Sequence, residues 1–239
     1  MVTVHFEDWG LISYGLALEK QKDIQSQLVQ FKLENRETEK SGIPPHQYLI
    51  FCEHPPVYTL GNRAHSQNLL ISTDELQARN IEIYPIRRGG DITFHGPGQM
   101  VGYPILDLEM FFTDIHKYLR YIEEGIILTL KEFDIPSGRI EGLSGVWIDP
   151  ENPLRARKIC AVGVHCSRWI TMHGFALNIN TDLGYFKHII PCGIKDKGIS
   201  SMAIEKKQWI DPEKVKSLLR EKLASLFQMD LQMENPFGH

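Results

Sequence analysis

Cysteine is scarce in this chain: four among 239 residues (Cys52, Cys160, Cys166 and Cys192). That is too few for a disulfide framework, and it fits a reducing compartment with free thiols. The run Cys160 to Cys166, with His165 and His173 nearby, matches no common zinc finger or ribbon spacing. Excess charge is also lacking. The formal net charge is −4 and charged residues make up 23%, which speaks against a nucleic-acid binder or a solvating tail. No apolar run is long enough to cross a bilayer. The opening, MVTVHFEDWG, has no basic stretch ahead of an apolar one, so a secretory signal is not expected. No Gly-Lys-Ser/Thr follows a glycine-rich loop, and no dinucleotide fingerprint occurs.

What the chain has is length enough for a sizeable core and a readable order of elements. Residues 3 to 7 read as a strand. Ser13 is placed to cap a helix to about Glu34, with Tyr14, Ala17, Leu18, Ile24, Leu28 and Phe31 on one face. Residues 47–52, 57–61 and 82–86 read as extended, and Thr73 as the cap of a short helix through Ala78. Residues 62–68 read as a polar loop. Met100 to Leu106, Val146 to Ile148, Lys158 to Val164 and His173 to Asn180 are further strands. A long helix is expected from Asp114 to Phe133, striped by Ile115, Tyr118, Leu119, Ile122, Ile126, Leu130 and Phe133. Asp211 and Pro212 start a last helix, within a C-terminal helical portion at about 211–229, and the tail QMENPFGH, residues 232–239, reads as frayed. Strands at hairpin-like spacing among helices imply a mixed α/β (α+β) fold with a largely antiparallel sheet and flanking helices. The whole chain, 1–239, reads as one domain.

Three stretches carry chemistry. The densest punctuation is RRGGDITFHGPGQMVGY, in which Arg88, Gly89, Gly90, Asp91, Ile92, Thr93, Phe94 and His95 lie between tight turns. Its glycines allow backbone to approach a ligand closely, and they suit the floor of a slot for an alkyl chain. Arg88 is suited to a carboxylate, a phosphate or the protein's own backbone. His95 and His173 fit either site residues or satisfied core histidines. A second stretch begins at Lys158 and runs directly into the apolar ICAVGV. Such a lysine is either a base made available by partial desolvation or a surface residue with a snorkelling stem. In the third, Pro191 and Gly193 flank Cys192, a corner that presents sulfur. A cysteine becomes a nucleophile when a neighbour helps it to the thiolate.

Together these stretches closely resemble the lipoyl(octanoyl) transferase family: RRGGDITFHGPGQMVGY, then KICAVGV from Lys158, TMHGFALNIN from Thr171, and PCGI from Pro191, in that order. Lys158 and Cys192 are 34 residues apart, which is also similar to the family. The resemblance implies the fold of the biotin and lipoate protein ligase catalytic domains. It implies transfer of an octanoyl group from octanoyl-acyl carrier protein to a lysine of lipoyl domains. Those domains belong to the 2-oxoacid dehydrogenase complexes and the glycine cleavage H protein. It further implies an acyl-enzyme on Cys192 with Lys158 as acid/base. The pocket motifs fall on Arg88 to His95, Gly163, Val164, His173, Gly174, Phe175 and Ala176. No cofactor, metal, nucleic acid or membrane is implied, and a cytoplasmic monomer is expected. Lys195, Lys197, Lys206 and Lys207 follow the cysteine and suit either steering of an acidic carrier domain or a solvated surface. The competing readings are an ATP-dependent lipoate or biotin ligase, a cysteine hydrolase using His173 or His95, and a non-catalytic acyl-protein binder.

Overall fold

The computed structural model describes residues 1–38, 44–190 and 197–233. In chain order the elements are β1 (Val2–Leu11), α1 (Tyr14–Thr38), β2 (Tyr48–Glu53), β3 (Val57–Leu60), α2 (Thr73–Ala78), β4 (Glu82–Pro85), β5 (Ile92–His95) and β6 (Gln99–Ile105). There follow α3 (Ile115–Lys131), β7 (Gly138–Ile140), β8 (Leu143–Ile148), β9 (Arg157–Ser167), β10 (Ile170–Asn178), β11 (Gly198–Ile199), α4 (Met202–Lys206), α5 (Pro212–Phe227) and β12 (Met229–Met233). The main sheet has the order β12-β1-β2-β6-β10-β9-β8-β7, with β11 added beside β9. A small sheet, β4-β3-β5, lies apart from it. The run from β2 through β7 is antiparallel. β1 pairs in parallel with both β2 and β12.

Two apolar layers cover the sheet. Ala17 and Leu28 of α1 pack on one face with Ile50, Val101, Ile105 and Ala176. On the other, Ile122, Ile126 and Leu130 of α3 and Leu219 and Leu223 of α5 meet Phe51, Met100, Val146, Ile159 and Leu177. α3 and α5 cross closely at Gly125, where a Cβ would lie 2.7 Å from Leu223. Asp114 caps α3 through the His116 and Lys117 amides, and Asp211 caps α5 with Pro212 in its first turn. Both starts are where the sequence places them. The cap of α2 is Ser72, one residue before the expected Thr73. Ser72 and Glu75 satisfy each other's backbone amides in a capping box. The C-terminus also differs: the last helix ends at Phe227 and Met229–Met233 is a strand, held by parallel pairing to β1, which takes in Gln232 and Met233 of the expected frayed tail, while its residues 234–239 lie outside the described residues. No described helix is long and apolar enough to cross a membrane.

One irregularity decides where a key side chain points. Across β8 and β9, Val146 faces Cys160 and Trp147 faces Lys158, so Ile159 has no opposite residue. Ile159 and Cys160 are consecutive yet both lie in the core shared with α3, whereas neighbours on a regular strand face opposite ways. Counted in twos from Cys160, Lys158 would also face that core. The bulge turns it to the other side. Gly145 makes room: its φ is +99°, and a Cβ there would lie 2.4 Å from the Cys160 carbonyl oxygen. Glu123, fully buried on α3, accepts the Gly145 amide at 2.8 Å and is itself paired with Arg120 and Arg139.

Gly142 provides a control, because it also has a positive φ (+75°) but no atom within 4 Å of its missing Cβ. Gly142→Ala should cost about 1 kcal/mol, for the left-handed backbone alone. Gly145→Ala should cost roughly 3 kcal/mol, because the collision adds to it. Urea denaturation of the two variants checks this, and equal losses would mean that the bulge yields freely.

Candidate active site

A cleft of about 1000 Å³, including its solvent-open mouth, lies on the α1 side of the main sheet. It gathers residues far apart in sequence: Arg88 to Thr93 and His95, Lys158, Gly163, and His173 to Ala176. Two motif residues fall outside the lining. Phe94 is buried behind it, stacked on Tyr185 with ring centroids 4.5 Å apart. Val164 contributes its backbone, accepting the Gly89 amide at 3.0 Å.

That amide bond is part of a seam between the two sheets. A Cβ on Gly163 would meet the Gly89 carbonyl oxygen at 2.8 Å, so the loop after β4 lies directly on β9. Arg88, 8% exposed, turns back into its own sheet. It donates to the Thr59 carbonyl at 2.8 Å, to the Thr59 hydroxyl at 2.9 Å and to the Gly89 carbonyl at 3.1 Å. Of the three roles open to Arg88 in the sequence, the structure supports a hold on its own backbone. Asp91 braces the same loop by accepting the Ile92 amide at 2.7 Å and the Asn68 side chain at 2.6 Å.

The histidines differ. Gln99 donates its amide nitrogen to the Phe94 carbonyl and to Asn178. Its oxygen therefore accepts from His95 Nδ1 at 2.8 Å, which fixes the tautomer and leaves Nε2 as an acceptor. His173 sits in mid-strand with φ +64°, a backbone region that side chains rarely occupy. Its amide donates to Gln21 of α1 at 3.1 Å, while its ring is buried near the Arg87 backbone, the one nearby group that favours its protonation. Burial is the largest cause that depresses both rings, with other cationic and ring groups adding to it, and each is pushed down to about 3. Both are neutral at physiological pH.

Lys158 enters from β9 with its Nζ over the Trp147 ring, 4.6 Å from the centroid. Cys192 lies outside the described residues, as do Pro191, Gly193, Ile194 and Lys195. The described chain on either side of that stretch reaches the cleft: Phe186 lines it on one side, and Lys197, Gly198 and Ile199 on the other. β11 pairs Ile199 with Lys158, and the Ser200 amide donates to the Lys158 carbonyl at 2.9 Å. Asn178 then donates to the Ser200 carbonyl at 3.0 Å, which joins this return to the His95 network.

The sequence reading missed several lining residues, among them Tyr14, Tyr103, Trp147 and Asn178. Tyr14 and Tyr103 had been legible only as apolar stripe and strand. Trp147 comes to the site through the β8–β9 register. Cys160 is buried in the core, and Cys166 is half-buried.

Residues 26–224 match the lipoyl protein ligase A/B catalytic domain. The chain is 54% identical over 231 residues to the octanoyltransferase of Cytophaga hutchinsonii, covering 96% of this chain and 95% of that protein. It is 51% identical over 229 residues to the octanoyltransferase of Flavobacterium johnsoniae, covering 95% and 98%. Among solved structures, a bipartite lipoate protein ligase from Thermoplasma acidophilum is similar with a TM-score of 0.67 and 12% identity, over 99% of this chain and 89% of that one. A lipoate-protein ligase A bound with ATP gives 0.64 and 13%, over 99% and 90%. At these identities the two structures speak for the fold alone. With the family match spanning most of its length and relatives above half identity, the chain belongs to the octanoyltransferase family of lipoyl protein ligase A/B catalytic domains and is an acyltransferase.

Proposed function

We propose that residues 1–239 act as one catalytic unit that moves an octanoyl group from acyl carrier protein to a lysine of a lipoyl domain, through a thioester on Cys192. The observation that carries the reading is the convergence of Lys158, the glycine loop and His173 on one cleft, beside the chain that leads into and out of the Cys192 stretch. The Cys192 sulfur, having given its proton to the Lys158 amine, attacks the donor thioester carbonyl. The donor's carbon–sulfur bond breaks, and the Lys158 ammonium protonates the leaving thiolate. In the second half the acceptor lysine attacks the octanoyl-cysteine and Lys158 takes its proton; the carbon–sulfur bond to Cys192 breaks as the amide forms, and the thiolate and the Lys158 ammonium are regenerated as the starting pair. Thioester exchange is nearly balanced and amide formation runs downhill, so no nucleotide is required.

The walls suit the cargo. Ala161 and Ala176 are opposite each other in register and both line the cleft, with Val101, Val162 and Phe175 around them. Each methylene removed from water contributes about 0.8 kcal/mol, enough for a fitted slot to discriminate chain length. The neutral histidines weigh against the hydrolase alternative, because an imidazole that protonates only near pH 3 is a poor base at pH 7. Of the basic residues considered for steering, Lys197 lines the cleft, Lys206 lies 3.6 Å from Asp134 and Lys207 is exposed. The partners are octanoyl-acyl carrier protein and lipoyl domains, and the site of action is the cytoplasm.

Intact-mass analysis after mixing with octanoyl carrier protein should show one octanoyl adduct that Cys192→Ala abolishes and Cys160→Ala and Cys166→Ala retain. Turnover with free octanoate and ATP in place of the carrier thioester would favour a ligase instead. The histidines give a pH test. Their folded values lie far below the ordinary 6.5, so neither changes charge between pH 5 and 9. His173→Asn should slow transfer at least tenfold while leaving both limbs of the pH–rate profile in place. A displaced acid limb would make His173 the base.

A further inference from the structure

Beside the amine to which the reading above gives the protons lies a buried indole. Trp147 is 2% exposed and lines the cleft. Its flanking residues, Val146 and Ile148, point the other way into the core with α3. Its place opposite Lys158 is fixed from both strands. On β8, Gly145 is tied to the buried Glu123. On β9, Arg157 is held by Glu205 at 2.6 and 2.7 Å and by Asp149 at 2.5 Å. The lysine stem therefore leaves an anchored strand and brings Nζ over the ring face, 4.6 Å from its centroid. Attraction between an ammonium and an aromatic face is strongest where water is excluded.

We infer that Trp147 is a positioning residue for Lys158, holding the charged amine over its ring for the step in which the departing thiolate takes the proton. The inference rests on the acid–base reading of Lys158. The ring's quadrupole attracts the ammonium and has little hold on the neutral amine, so it opposes loss of that proton to solvent as the pH rises. It leaves the thiol's own ionisation untouched. The indole N–H has no hydrogen-bond partner among the described residues. Trp147 thus serves through its face rather than its nitrogen, and a phenyl ring should substitute for it in part.

Fluorinated tryptophans inserted at position 147 keep the shape of the ring and drain its electron density step by step. Octanoyl transfer from carrier protein to a lipoyl domain is then followed from pH 5.5 to 10. The alkaline limb should move stepwise to lower pH, and kcat at its shoulder should fall about tenfold for the most fluorinated ring. The acid limb and KM for the acyl donor should stay in place. Trp147→Phe should keep most of the activity. Trp147→Leu, with folding checked by circular dichroism and thermal melting, should repeat the alkaline shift. A profile and kcat indifferent to fluorination, in an enzyme that Lys158→Ala still slows, would overturn the role of Trp147 and leave that of Lys158 standing. A raised KM with unmoved limbs would also overturn it, making the indole a wall for the acyl chain. A rate indifferent to Lys158→Ala would overturn the acid–base reading, and this inference with it.

Discussion

Two backbones touch without side chains between them at the centre of this protein. Gly89 donates to the Val164 carbonyl, and Gly163 has no room for a Cβ against the Gly89 oxygen. This contact lays the loop of the small sheet on the main sheet, and the cleft is the space left beside it. Arg88, which lines the cleft, ties this loop to β3 by bonding to Thr59. The arginine-glycine run thus builds the wall first, and whatever it contributes to ligand contact follows from that.

The second constraint lies along β9, where the strand serves two faces at once. Ile159 and Cys160 fill the core under α3, and Lys158 and Ala161 face the cleft. A regular strand cannot supply that order. The extra residue at Ile159 resolves the conflict, and Glu123 is buried at a charged helix position to hold it. Burying a carboxylate is costly unless it is paired and hydrogen-bonded. Here two arginines and one amide satisfy it.

Much of this was legible in the sequence because it is local. The caps at Asp114 and Asp211, the stripe of α3 and the strand after the glycine run are short-range patterns with one physical reading each. The site motifs were legible as residue types, and the cleft brings most of them together. What escaped depends on distant partners. Ile92–His95 reads as a loop between glycines and becomes a strand only by pairing with β3. Gln232 and Met233 read as part of a frayed tail and are paired in a strand to β1, more than two hundred residues earlier. Trp147 reads as an ordinary strand residue, because nothing local reveals the bulge opposite it. Gln21, which anchors the left-handed turn at His173 from another layer, carries no signal at all.

The seam between the sheets has a mechanical consequence. One wall of the cleft is lined by β5 and the loop before it and another by β9 and β10, and the Gly89–Val164 bond crosses between them. On the function proposed above, a hydrocarbon chain held in the cleft would contact both walls and favour the folded form. By mass action, whatever binds the folded form alone makes that form harder to melt. On that reading cargo and scaffold are thermodynamically linked, and the loaded protein melts higher than the empty one.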